Sequence, residues 1–188
     1  MADGKSLPQR RTGEMHKGRV SLTGARYFIT CTVDRRLPVL RQCSDVLDSA
    51  LARLGRDGDI TIQCGTIMPD HLHLCVTLNG RLSVGQVVGK MKTLTRAGLA
   101  QASARWQRDV FEHRLRPEER IDPYARYVFL NPYRGGLVAL TERWPHWFCH
   151  DPSQCDFVEL LDSEGCPPVE WIECDLAGLG LQESAIGE

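Results

Sequence analysis

Asp59–Leu78 reads DITIQCGTIMPDHLHLCVTL, two runs of β-branched and apolar residues joined through Pro69-Asp70. Such a pattern predicts two antiparallel strands, Asp59–Met68 and His71–Leu78, with a tight connection between them and Asn79-Gly80 closing the second. Upstream, Arg26–Val33 (RYFITCTV) has the aromatic and β-branched content of another strand, and Asp45–Arg56 places Val46, Leu47, Ala50, Leu51 and Leu54 at helical spacing up to Gly58. Downstream, Ser83 is a plausible N-cap for a helix reaching about Ala102, with Val84, Val87, Val88, Met91, Leu94 and Leu99 along one stripe. Asp109–Arg116 alternates Phe111, His113 and Leu115 against Glu112, Arg114 and Arg116, a fourth strand. Asp122-Pro123 is an N-cap followed by proline at the first helical position, and the helix it starts ends near Asn131-Pro132 or at Gly135-Gly136. The expected fold is an α/β sandwich: a ferredoxin-like split βαββαβ unit with an antiparallel sheet, followed by an added helix.

The chain has 188 residues, 42% hydrophobic and 25% charged, enough for one domain with a real core or a domain with an appendage. It has no apolar run of about 18 residues, and its first 20 residues carry charge and glycine where a secretory signal needs an apolar stretch, so a cytoplasmic protein without membrane spans is expected. Eight cysteines do not demand disulfides in a chain of this size; Cys31, Cys43, Cys64 and Cys75 sit in apolar or helical contexts and read as buried cytosolic thiols. The formal charge of −1 conceals an asymmetry: all 23 Lys and Arg fall within residues 1–143, beside 14 Asp and Glu, whereas residues 144–188 hold ten acids and no Lys or Arg. A basic body with an acidic tail points to a polyanionic partner. The organisation expected is a flexible basic arm over residues 1–19, a domain over 20–143 and an acidic extension over 144–188.

In a strand at MPDHLHLCV (68–76), His71 and His73 share one face while Leu72, Leu74 and Val76 share the other, which enters the core. The two imidazoles stand roughly 7 Å apart at Cβ, close enough to converge on one ion; a polar strand face that happens to carry histidines is the plain alternative. In the helix after Pro123, Tyr127 and Asn131 lie one turn apart on one face, where a phenol and an amide oxygen can supply a nucleophile and a third hard ligand. Alternatively Tyr124, Tyr127 and Val128 form a core stripe and Asn131 caps the helix end. His113, between Phe111 and Leu115, reads as a satisfied core or supporting histidine. Cys149, Cys155, Cys166 and Cys174 lack CxxC spacing, which argues against a zinc site in the tail.

Five blocks in order, RYFITCTVDRR, IMPDHLHLCV, KMKTLTR, WQRDVFEHRLR and YVFLNPYRGGLV, resemble the HUH single-tyrosine transposases, and within them the REP-associated tyrosine transposases, over roughly Gly18–Trp147. The resemblance implies that His71 and His73 are the histidine pair, Tyr127 the nucleophile and Asn131 the remaining side-chain metal ligand, with Asp70 where Asn is expected. It implies a single-strand DNA endonuclease and strand transferase acting at palindromic repeat hairpins through a 5′-phosphotyrosine. The physical reading agrees: two imidazoles and an amide around Mg²⁺ or Mn²⁺ leave positions for phosphate oxygens, although no general base stands out for a tyrosine whose pKa is ordinarily near 10. Tyr124, one turn before Tyr127, would make a two-tyrosine enzyme. Lys90, Lys92, Arg96, Arg114, Arg116, Arg126 and Arg134 are the candidate DNA contacts, for single-stranded or hairpin DNA; monomer and homodimer stay open. The rivals are a non-catalytic nucleic-acid-binding protein on the same fold, whose glycine and aromatic strand signature is absent from HLHLCVTL, and a regulatory protein whose tail binds another protein. The tail, acidic yet carrying Trp147, Phe148, Phe157 and Trp171, either covers part of the DNA surface or docks away from the groove.

Overall fold

The computed structural model describes residues 21–174 and 176–182; the basic arm expected over residues 1–19 lies outside them. Five antiparallel strands form one sheet, β1 (Arg26–Thr32), β2 (Ile60–Ile67), β3 (His71–Leu78), β4 (Phe111–Arg114) and β5 (Trp147–Cys149), in the order β4-β1-β3-β2-β5. Between them run α1 (Ser44–Arg56), α2 (Val84–Gln101) and α3 (Asp122–Arg134), with a short α4 (Glu170–Glu173) near the end. The first six elements follow the order β-α-β-β-α-β, and the mixed α/β class with an antiparallel sheet is as expected. Among the described residues no helix is long and apolar enough to cross a membrane.

The sheet is buried on both faces. On one side α1 and α2 pack on Tyr27, Ile29, Cys31, Leu72, Leu74 and Val76. On the other, α3 and the C-terminal extension pack on Phe28, Cys64 and Cys75, and Phe157, Trp171, Leu179 and Leu181 complete that core. The histidine face of β3 is therefore an interior surface: His73 is 2% exposed. A β-bulge between Ile62 and Cys64 adds Gln63 to β2, and its carbonyl accepts the N–H groups of His150 (2.6 Å) and Asp151 (3.2 Å), tying the chain after β5 to the sheet. Gly65, between β3 and β5, has no room for a side chain: a Cβ there would lie 2.6 Å from Phe148 Cζ and 2.7 Å from the His73 carbonyl.

Ser83 does cap α2, in a reciprocal box with Gln86. Leu94 departs from the predicted stripe and is 43% exposed. Its place inside goes to Thr95, whose hydroxyl donates to the Met91 carbonyl (2.9 Å) and accepts from Trp106 Nε1 (2.8 Å), so a polar residue is buried without an unmet hydrogen bond. Asp122 is not the N-cap of α3; Ile121 is, and the Asp122 carboxylate instead accepts the Phe157 N–H (3.2 Å) of the extension. α3 runs through Pro132, which lies within its last turn, to Arg134, and Gly136 at φ +63° turns the chain away. The alternating stretch 109–116 pairs only over Phe111–Arg114. β5 lies inside the segment set apart by its acidity, so the extension begins as a strand of the domain's own sheet.

Candidate active site

β3 and β1 place His71 opposite Thr32 and His73 opposite Thr30. His73 Nδ1 meets the Thr30 hydroxyl at 2.8 Å, and His71 Nδ1 meets Asp70 Oδ1 at 2.7 Å. Both imidazoles are thus oriented through Nδ1, which leaves Nε2 as the ring nitrogen able to face a ligand, the usual arrangement of metal-binding histidines. His73 Nε2 is buried and, among the described residues, has no hydrogen-bond partner. The two rings are 4.6 Å apart and nearly perpendicular. Burial above all, then the charges of His71 and Arg36, hold the His73 imidazole well below its ordinary pKa, so it is neutral with a lone pair available.

Tyr127 comes to the same place from α3. Its ring stands edge-on to His73 at 5.7 Å and to Phe28 at 6.0 Å, while Phe28 stacks on His73 at 5.5 Å. Asn131, one turn on, lines with Tyr127 an open cleft of about 500 Å³ whose other walls include Arg134 and, from the extension, Ile172, Cys174 and Leu176. The fold therefore brings together His71, His73 and Tyr127, with Asn131 on the helix face that carries Tyr127. Among the described residues no group of three or more His, Cys, Asp or Glu is placed to hold a metal. A divalent ion here would be held by the two imidazoles, for which the unmet His73 Nε2 is suited, and would need the Asn131 amide as its third side-chain ligand. Tyr127 itself is only 2% exposed.

The candidate DNA contacts separate into groups. Lys90, Lys92 and Arg96 lie on α2, on the opposite side of the sheet from Tyr127. Lys90 Nζ is held by Asp57 (2.8 Å) and Asp59 (2.5 Å), and Lys92 Nζ by the carbonyls of Gln107, Arg108 and Asp109 (2.8–3.2 Å); Arg96 is exposed. Arg114 and Arg116 are exposed on the edge strand β4 and just beyond it. Arg126 and Arg134 project from α3 into the extension, Arg126 over the Trp171 ring at 3.9 Å and Arg134 donating to the carbonyls of Cys174 and, at 3.4 Å, Trp171. Among the described residues the Nε atoms of both arginines are buried without a partner.

His113 is a supporting residue. Its Nε2 contacts the Tyr124 hydroxyl (2.9 Å) and Glu119 (3.1 Å), and Tyr124 also donates to Glu119 (2.9 Å). Burial, then the adjoining Glu119 carboxylate, push the Tyr124 phenol well above its ordinary pKa, which commits it to proton donation. Thr30, Phe28 and Arg36 were not visible as site residues in the sequence. Arg36, 67% exposed at its side chain, pairs with Asp70 at 3.4 Å and brings a cation beside the histidines; the arginine pair in VDRR was the one available signal.

Residues 21–115 match the family described as Transposase IS200 like. The chain is 24% identical over 158 aligned positions to the REP-associated tyrosine transposase of Escherichia coli K12, covering 81% of this chain and 88% of the relative. It is likewise 24% identical over 142 positions to a Haemophilus influenzae protein provisionally given the same description, covering 68% and 81%. A solved REP-associated tyrosine transposase bound to a REP hairpin shares the fold, with a TM-score of 0.62, 22% identity, and coverage of 81% of this chain and 88% of that one.

Proposed function

We propose, because this chain belongs to the IS200-like transposase family, that it cleaves and rejoins single strands of DNA at palindromic repeat hairpins, with Tyr127 as nucleophile. In this reading Mg²⁺ or Mn²⁺ is held by His71, His73 and Asn131. The observation that carries it is the buried, unpartnered His73 Nε2 beside the Tyr127 ring. A lone imidazole nitrogen left unmet in a core costs stability unless something binds it. Hairpin DNA as substrate is supported by the structural relative bound to a REP hairpin.

The chain's own groups have distinct tasks. Asp70 and Thr30 fix the imidazoles so that Nε2 of each faces the reaction. Phe28 wedges His73 against Tyr127 and keeps the phenol oriented. Tyr127 Oη attacks the phosphorus in line, the bond to the 3′ oxygen breaks, and that oxygen leaves as a 3′-hydroxyl after taking a proton. The tyrosyl phosphodiester conserves the bond, so another 3′-hydroxyl reverses the step and joins strands without ATP. When bound, the cation would neutralise charge on the non-bridging oxygens.

Incubating a 3′-labelled repeat hairpin with Mn²⁺ and the full chain tests this. A covalent protein–DNA adduct is expected, lost in Tyr127→Phe while hairpin binding persists. Undiminished adduct in that variant moves the nucleophile to another tyrosine. The burial of Tyr127 favours one second reading, a hairpin-binding protein with its chemistry shut off, for which no adduct forms under any metal.

A further inference from the structure

Four thiols meet beneath α3, in the buried cluster to which Tyr127 also belongs. Cys64 on β2 pairs across the sheet with Cys75 of β3 on one side and Cys149 of β5 on the other. Cys155, on the turn after β5, brings its sulfur to 3.7 Å from that of Cys149 and also hydrogen-bonds Cys64. All are free thiols. Cys64, Cys75 and Cys155 are buried, and only Cys149, on the edge strand, reaches solvent. No group of three or more of these side chains is placed to hold a metal among the described residues. The loop between Cys149 and Cys155 is short and already folded back, with His150 and Asp151 on the Gln63 carbonyl and with Ser153 and Gln154 on Asp151.

We propose that Cys149 and Cys155 form a peroxide-sensitive dithiol, a covalent modification site at the junction of sheet and extension. The Cys149 thiol donates to the Cys155 sulfur. Of the pair, Cys155 is the sulfur that ionises first, because the Cys149 and Cys64 thiols both donate to it; when the Cys149 proton moves onto that thiolate, the negative charge passes to the solvent-reaching sulfur, the one peroxide can meet. Cys149 then attacks one oxygen of hydrogen peroxide, breaking the O–O bond to give a sulfenic acid and hydroxide. The Cys155 sulfur attacks the sulfenic sulfur and expels a second hydroxide, and the two thiol protons convert both to water. Two thiols and one peroxide give one disulfide and two waters. Closure requires the sulfurs to approach by less than two ångströms from 3.7 Å. The bridge fastens β5 to the turn that leads into Phe157, whose N–H is held by Asp122 of α3.

The test uses the reduced full-length protein, exposed to hydrogen peroxide, denatured, alkylated and cleaved before aspartate. That cleavage places Cys149 in peptide 122–150, Cys155 in 151–155 and Cys64 in 59–69. Expected is a 122–150/151–155 pair joined by a disulfide, reversed by dithiothreitol. It should form before Cys174, which is equally half-buried but faces the Glu170 carbonyl instead of a second thiol, loses its alkylation. In Cys149→Ser, Cys155 should be recovered fully alkylated at the same peroxide dose. Linkage of 151–155 to 59–69 in the unmodified protein, or oxidation of Cys149 no faster than Cys174, overturns the assignment.

Discussion

Thr30→Val isolates the support of one imidazole. Valine keeps the β-branched shape that β1 needs and removes only the hydroxyl 2.8 Å from His73 Nδ1. With that hydroxyl present, Nδ1–H has an acceptor and the Nε2 lone pair is left for a ligand. Without it, His73 has two unmet nitrogens in a core where it is 2% exposed, and the neutral ring divides between its tautomers. Loss of such a supporting contact lowers metal affinity by about 10–100-fold, which is about 1.4–2.7 kcal/mol at 1.36 kcal/mol per decade. The independent figure for leaving a buried polar group unsatisfied, about 1–3 kcal/mol, covers the same range. Adduct formation on a labelled hairpin, measured against Mn²⁺ concentration, should show half-saturation moved up by that factor with the rate at saturation nearly kept. Thr32→Val is the matched control: Thr32 faces His71, whose Nδ1 is held by Asp70 instead, and no shift is expected. A folded Thr30→Val protein with unchanged Mn²⁺ dependence would show that His73 is not a ligand oriented by Thr30.

Three further substitutions probe the surroundings. Asp70→Asn keeps an oxygen acceptor for His71 Nδ1 but removes the charge that pairs with Arg36, so cleavage should persist with a metal requirement raised by less than in Thr30→Val; complete loss would contradict the orienting role. Gly65→Ala forces a methyl to within 2.6 Å of Phe148 and 2.7 Å of the His73 carbonyl, and thermal denaturation should register about 1–3 kcal/mol of destabilisation. Trp171→Ala takes away the ring under Arg126 and against Phe157; it should cost about 3–5 kcal/mol of stability and yet accelerate adduct formation by loosening the adjoining Ile172, Cys174 and Leu176 that line the Tyr127 cleft, whereas an unchanged or slower rate in the folded variant would mean that this stretch does not limit access.

Where a local pattern and a local hydrogen bond agree, the chain was legible in advance. β3 spans His71–Leu78 as read from its β-branched and apolar run between Pro69-Asp70 and Asn79-Gly80, and Ser83 caps α2 because Gln86 stands three residues on to complete the box. Features that depend on cross-chain partners were not. β5 has three residues, too few for any period to show, and exists because Cys149, Phe148 and Trp147 pair with Cys64, Gly65 and Thr66. Leu94 and Thr95 both fit near the buried stripe, and the choice was made by Trp106, eleven residues away, supplying a donor to Thr95. Lys90 and Lys92 look like free cations in sequence, but Asp57, Asp59 and three carbonyls of residues 107–109 occupy them. The same holds for the candidate site. The shared face of His71 and His73 follows from strand period alone, while Thr30 as the partner of His73 requires the β1–β3 register.

The extension's charge suggested an acidic strip lying on basic residues, and the contacts are of another kind. Arg120 does pair with Asp156, but Arg126 and Arg134, the arginines of α3 that face the extension, are met by the Trp171 ring and by main-chain carbonyls. The reason lies in α3, which buries Tyr124, Ala125, Tyr127, Val128, Phe129, Leu130, Pro132 and Tyr133, more apolar surface than the sheet can cover. A helix apolar on nearly all sides requires a second layer, and Phe157, Trp171, Leu179 and Leu181 supply it. Covering Tyr127 is thus a by-product of stabilising the helix that carries it. Among the described residues the partners of Arg126 and Arg134 are an aromatic ring and main-chain carbonyls, and the Nε donors are unmet, so a phosphate entering the cleft would gain charge-assisted hydrogen bonds that these neutral partners do not provide. Opening need not undock the whole layer: Ile172, Cys174 and Leu176 line the cleft and are only half-buried, whereas Phe157 and Trp171 are anchored in the core. If Tyr127 acts on DNA as proposed, its access turns on the displacement of that short stretch, which added salt alone would not bring about.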